Sequence, residues 1–73
     1  MVENSVIMPG THIKAGAVVN RTIVAEDCVV SKDACLGEEE GDIALIGQST
    51  VIPEGYVVKA GEQVDMDAIR REA

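Results

Sequence analysis

Read in sixes from Met1, the chain falls into MVENSV, IMPGTH, IKAGAV, VNRTIV, AEDCVV and SKDACL, then a longer segment GEEEGDIAL, then IGQSTV, IPEGYV, VKAGEQ and VDMDAI. The first positions are Met1, Ile7, Ile13, Val19, Ala25, Ser31, Ile46, Ile52, Val58 and Val64, and all but Ala25 and Ser31 are large and aliphatic. The fifth positions, Ser5, Thr11, Ala17, Ile23, Val29, Cys35, Thr50 and Tyr56, are mostly small or β-branched. Where the first position shrinks, at Ala25 and Ser31, the neighbouring fifth positions grow to Ile23 and Val29, which keeps the enclosed volume about constant. Fourth positions hold Gly10, Gly16, Gly55 and Gly61, with Asn4, Thr22, Cys28, Ala34 and Ser49 in the others. Glycine suits a corner whose backbone needs a positive φ.

A period of six matches neither the α-helix nor a plain strand, but it matches a short strand followed by a sharp corner. Three such units close a triangular coil of ~18 residues, and successive coils pair at the sheet spacing of ~4.8 Å. The pattern therefore predicts an all-β fold, a single-stranded left-handed parallel β-helix of three to four hexapeptide coils, over residues 1–64. Its coils are expected at 1–18, 19–36 and 37–57, with 58–64 beginning a fourth. The left hand goes with the hexapeptide pattern and departs from the right-handed rule for longer parallel crossovers. Residues Glu38, Glu39, Glu40, Gly41 and Asp42 read as a bulged, solvated corner. From Asp65 the pattern changes to DMDAIRREA, with Asp65 or Asp67 as N-cap, so a capping helix is expected over 65–73.

Composition narrows the function classes. Tyr56 is the one aromatic residue among 73, so the core must be built of Val, Ile and Ala rather than rings. A formal net charge of −7 disfavours nucleic acid and anionic membrane surfaces as partners. No long apolar run or cleavable leader stands in the sequence, which points to a cytoplasmic protein. Cys28 and Cys35 have no zinc-type spacing and are expected to be reduced thiols, with no metal site. A chain this short gains from neighbours. Only its C-terminal end has a candidate cap, so the first coil is expected to be covered by something upstream or in trans.

Sixth positions should face outward: Val6, His12, Val18, Val24, Val30, Leu36, Val51 and Val57. Val18, Leu36 and Val57 are expected to stack into one apolar stripe on one side. The stripe reads either as an interface or as valine placed for strand propensity. Lys14 and Lys32 share the second position of their repeats, eighteen residues apart, and are expected one above the other. A small anionic effector would bridge them; the plainer reading is two solvated lysines beside Asp33 and Glu54. Arg70 and Arg71 complement the end of a helix, and His12 reads as a surface imidazole.

The phrases NSVIMPG at 4–10, IKAGAVV at 13–19, TIVAED at 22–27 and IALIGQSTVIPEGYVVKAGE at 43–62 resemble the C-terminal β-helix of bacterial glucose-1-phosphate adenylyltransferases. The order of SVIMPG, the long break and the IGxxxxIPxG restart carries the resemblance. It implies a parent enzyme that makes ADP-glucose and pyrophosphate from ATP and glucose 1-phosphate for glycogen synthesis, using Mg²⁺ in an N-terminal nucleotidyltransferase domain. It also implies a homo- or hetero-tetramer controlled by small anionic metabolites. This chain has no Gly-rich phosphate loop, so no catalytic residue or cofactor of its own is expected. Its expected role is that of an oligomerisation and allosteric module joined to a catalytic domain. A fragment of a hexapeptide acyltransferase using His12, and a free-standing scaffold, are the alternatives. Such acyltransferases have longer helices, and hexapeptide carbonic anhydrases need three histidines where this chain has one.

Overall fold

The computed structural model describes residues 2–72. Met1, the first aliphatic position of the register, and Ala73, the last residue of the expected helix, lie outside the described residues. Short strands follow one another around a triangle: β1 Val2–Glu3, β2 Val6–Ile7, β3 His12–Ile13, β4 Val18–Asn20, β5 Thr22–Val24 and β6 Val29–Val30. The series goes on through β7 Cys35–Leu36, β8 Ala44–Ile46, β9 Val51–Ile52, β10 Val57–Val58 and β11 Gln63–Val64, and ends in the helix α1 Met66–Glu72. Every third strand stacks into one side, all pairings being parallel. Sheet A is β1-β4-β7-β10, sheet B is β2-β5-β8-β11 and sheet C is β3-β6-β9. The chain is a left-handed parallel β-helix of hexapeptide type.

The register departs from an even eighteen. Val2 pairs with Val19 and Val18 with Cys35, 17 residues on, whereas Val29 pairs with Val51, 22 residues on, and Val64 with Ile46, 18 residues apart. One residue is missing at each of two stacked corners: between β1 and β2, where Asn4 has φ 51°, and between β4 and β5, where Arg21 alone separates the strands with φ 44°. Inward aliphatics therefore run Val19, Val24, Val30 and Leu36, all fully buried, and not Ala25 and Ser31. Ile23 and Val29 are only half-buried and Cys35 is exposed, so the expected exchange of volume between first and fifth positions does not occur. The enlarged corner after Leu36 restores the phase at Ile46. A shortening by one followed by a lengthening by four looks, from the sequence alone, like a single insertion of three.

The corners obey one rule in this corrected phase. Outside the enlarged corner before Ile46, a residue with positive φ stands three residues before each inward aliphatic from Ile7 on: Gly16 before Val19, Arg21 before Val24, Asp27 before Val30, Asp33 before Leu36 and Ser49 before Ile52 are five of them. The corners expected at Thr22, Cys28 and Ala34 are each displaced by one residue. Asp and Asn tolerate the left-handed region better than other side chains. Gly16 is required twice over, by its φ of 79° and because an added Cβ would meet Asp33 Oδ1 on the next coil.

Two residues before the inward aliphatics from Val19 to Ile52 the interior is small, Ala17, Thr22, Cys28, Ala34, Ala44 and Thr50 all being fully buried, whereas the half-buried Tyr56 takes that place before Val58. Their polar atoms serve the corners. Thr22 Oγ1 donates to Asn20 O at 2.7 Å, and Thr50 Oγ1 and Cys28 Sγ donate to Gly47 O at 2.7 and 3.0 Å. Thr11 Oγ1 ties two coils together, accepting from Cys28 N at 3.2 Å and donating to Ala25 O at 2.7 Å. Among the described residues no buried side-chain nitrogen or oxygen lacks a partner, which is what a low-dielectric interior demands.

The two ends differ. At the last coil, Asp65 Oδ1 caps α1 by accepting from Ala68 N at 2.9 Å, and Ile69 seals the interior at 8% exposure. Met66 Sδ accepts from Val51 N at 3.1 Å on the outer strand of sheet C. At the first coil Ile7 and Ile13 point inward yet are only half-buried, and Val2 is 43% exposed. Replacing Thr11 by Val keeps the shape but orphans Cys28 N and Ala25 O. A loss of ~1–3 kcal/mol in unfolding free energy is expected from urea titration.

Candidate interaction faces

The hollows found among the described residues are open ones, on α1 and beside β8 and β11, so the candidate surfaces are the flat sides and the corners. Each side carries an outward column set by the strand register. On sheet A the column is Val18, Cys35 and Val57. On sheet C it is His12, Val29 and Val51. On sheet B it is Val6, Ile23, Leu45 and Gln63.

The stripe expected from Val18, Leu36 and Val57 is corrected by this register. Leu36 pairs with Val19 and Val58 in the core and is fully buried. The missing residue at Arg21 turns it inward and brings Cys35 to the surface in its place. Val18 and Val57 do face outward on one side, Val57 at 61% exposure. Val24 and Val30, also expected outward, are buried for the same reason.

The lysine pair is likewise displaced. Lys14 N donates to Val30 O, which sets Lys14 beside Ser31. Asp33 N donates to Ala15 O and Gly55 N to Lys32 O, which sets Lys32 between Ala15 and Glu54. Both lysines are exposed on the corner joining sheets C and A, in adjacent columns rather than one above the other. His12 is exposed on β3, with Val29 and then Val51 next in its column. That column supplies no second proton-transfer group.

Arg70, Arg71 and Asp67 line an open hollow on α1. Arg71 Nε donates to Asp67 O at 3.3 Å, which fits a helix-end role for these charges. Cys28 is a buried and Cys35 an exposed free thiol. Among the described residues no group of three or more His, Cys, Asp and Glu side chains is placed to hold a metal ion. In the enlarged corner, Arg21 Nε donates to Glu39 O at 2.8 Å and Glu38 Oε2 accepts from Ala60 N at 3.1 Å. These contacts pin the acidic loop against the coils on either side.

Sequence reasoning missed the side of sheet B. Among the described residues seven large hydrophobics are exposed, and four of them, Val6, Met8, Ile43 and Leu45, belong to that side. Asp27 and Asp33, each one position ahead of an expected corner, were the signal that would have corrected the phase.

Stacked coils, left-handed corner residues and a small-polar inner column define a hexapeptide-repeat β-helix whose usable chemistry lies on its sides. The chain belongs to the GlmU-like, C-terminal hexapeptide family, whose model matches residues 1–58. It is similar to glucose-1-phosphate adenylyltransferase of Desulfitobacterium hafniense, in strains DSM 10664 / DCB-2 and Y51. The identity is 32% in each case, over 92% of this chain and 18% of the relative. The chain thus spans under a fifth of the length of these curated relatives. No solved structure matches it. Among the described residues no helix is long and apolar enough to cross a membrane.

Leu36→Ala should cost ~2–5 kcal/mol by opening a cavity in the core. Val57→Asp, on the outward column, should stay within ~0.5 kcal/mol of the parent. Thermal melts of the two variants check the inward and outward assignments directly.

Proposed function

We propose that this chain is the β-helix module of a glucose-1-phosphate adenylyltransferase, serving assembly and allosteric control while a separate nucleotidyltransferase domain performs the chemistry. One observation carries the reading: the similarity takes in 92% of this chain but only 18% of the relatives. A part and not a whole is what the two have in common. In this reading the parent converts ATP and glucose 1-phosphate to ADP-glucose and pyrophosphate in the cytoplasm, with Mg²⁺ held by the catalytic domain.

Val18 and Val57 on sheet A are the assembly contacts, with Cys35 between them and Leu36 taking no part. Lys14 and Lys32 remain the anion contacts, now as an offset pair across one corner. An effector phosphate would reach both only if their long side chains converge, which exposure permits.

Two measurements test this. Substituted for the matching segment of the Desulfitobacterium enzyme, the chain should support ADP-glucose formation in an oligomer the size of that enzyme's own. A soluble chimera that stays monomeric would remove the assembly role. In the same chimera Lys32→Ala should weaken the response to a sugar bisphosphate at least threefold. Equal responses in both proteins would strike out the lysine pair.

A further inference from the structure

A column of backbone amides runs along sheet C. His12 N donates to Cys28 O at 2.9 Å, and Val29 N, one coil on, donates to Thr50 O at 3.0 Å. Val51 stands next in that column on the outer strand β9, and among the described residues no further strand joins sheet C beyond it. Its amide donates instead to Met66 Sδ at 3.1 Å, so a thioether takes the place that a carbonyl holds in the two coils before it. A thioether is a weak acceptor. Met66 also packs against the buried cluster while staying half-buried itself, which sets its sulfur between an exposed strand edge and the interior. The helix depends on such contacts. With seven residues α1 is shorter than the ~12–15 at which an isolated helix becomes marginally stable, so it is held by Asp65, Met66 and Ile69.

We propose that Met66 is an oxidation site for peroxide-class oxidants, and that its conversion to the sulfoxide releases α1 from the last coil. The sulfur lone pair attacks one oxygen of hydrogen peroxide, and the S–O bond forms as the O–O bond breaks. The proton on the transferred oxygen passes to the departing hydroxide, which leaves as water. Sulfur is thereby oxidised by two electrons and the peroxide reduced by two. A methionine sulfoxide reductase with a dithiol reductant returns the thioether, the oxygen leaving as water and the dithiol becoming a disulfide. The geometry makes this modification a structural event. An oxygen on the lone pair that faces Val51 N does not fit within the 3.1 Å gap. On the other lone pair it makes polar a side chain that packs against the interior. Met8, 38% exposed at the corner after β2, lies on the surface and provides the contrast.

The test is hydrogen peroxide treatment of the 73-residue chain in a Cys35→Ser background, where the remaining thiol, Cys28, is buried. Peptide mass mapping should find one added oxygen at Met66 and one at Met8. With Met66 converted, hydrogen exchange at the Val51 amide should quicken at least about tenfold, and the melting temperature should fall by ~4 °C or more. Sulfoxide reductase should restore both. Met66→Leu keeps the packing without the oxidisable atom, so peroxide should move its melting temperature by no more than about 1 °C. Met66 left intact in the folded chain while Met8 is converted would overturn the site. Conversion of Met66 with exchange and melting unchanged would overturn the release of α1. An equal fall in Met66→Leu would place the effect at another residue and sink the proposal, and a loss that the reductase fails to reverse would overturn its reversibility.

Discussion

A backbone that must bend after every two or three paired residues needs, at each bend, one residue able to enter the left-handed region of conformational space. In this chain that requirement is met by glycine at some corners and by Asn4, Arg21, Asp27, Asp33 or Ser49 at others. The bend then sets the direction of its neighbours. At the corners from Gly16 to Ser49 that precede a strand of the core, the next residue faces inward as a small side chain and the one two further on as a large aliphatic. The interior is thus set by corner chemistry as much as by hydrophobicity. A corner residue in the wrong phase would turn each succeeding side chain to the opposite face.

The repeat length, the parallel coil, the enlarged corner and the terminal helix are all legible from the spacing of aliphatics alone. What is not legible is the residue missing at Arg21, and at Asn4 one coil before it. A valine-rich stretch hides such a slip, since both the inward and the outward residues of β5 and β6 are Val or Ile. Val24 and Val30 then pass for surface, and Ile23 and Val29 for core. The same slip reaches the candidate site. It puts Leu36 on a surface stripe when it lies at the centre of the molecule, and two lysines eighteen apart in a stretch with a 17-residue coil cannot share a column. Aspartate, which accepts a positive φ and is costly at an inward position, is the more reliable marker of phase.

Electrostatics and apolar surface divide the labour between the sides. The acidic residues gather at corners and in the loop after Leu36, where side chains reach water, while the flat sides carry valine, isoleucine, leucine and methionine. Because strands of two or three residues leave only one outward side chain each, small differences in the corner residues decide whether a side reads as polar or apolar. Sheet B carries Met8, Ala25 and Ile43 among its flanking positions, with Arg21 beside Ile43 and Asp65 at the far end of the Met8 column.

The helix at the last coil has a further consequence. Asp65 caps α1, Ile69 closes the interior and Met66 Sδ accepts from Val51 N on the outer strand of sheet C. Unwinding the helix would thus uncover the interior and release a strand amide in one event, which couples fraying of α1 to loosening of the coil beneath it.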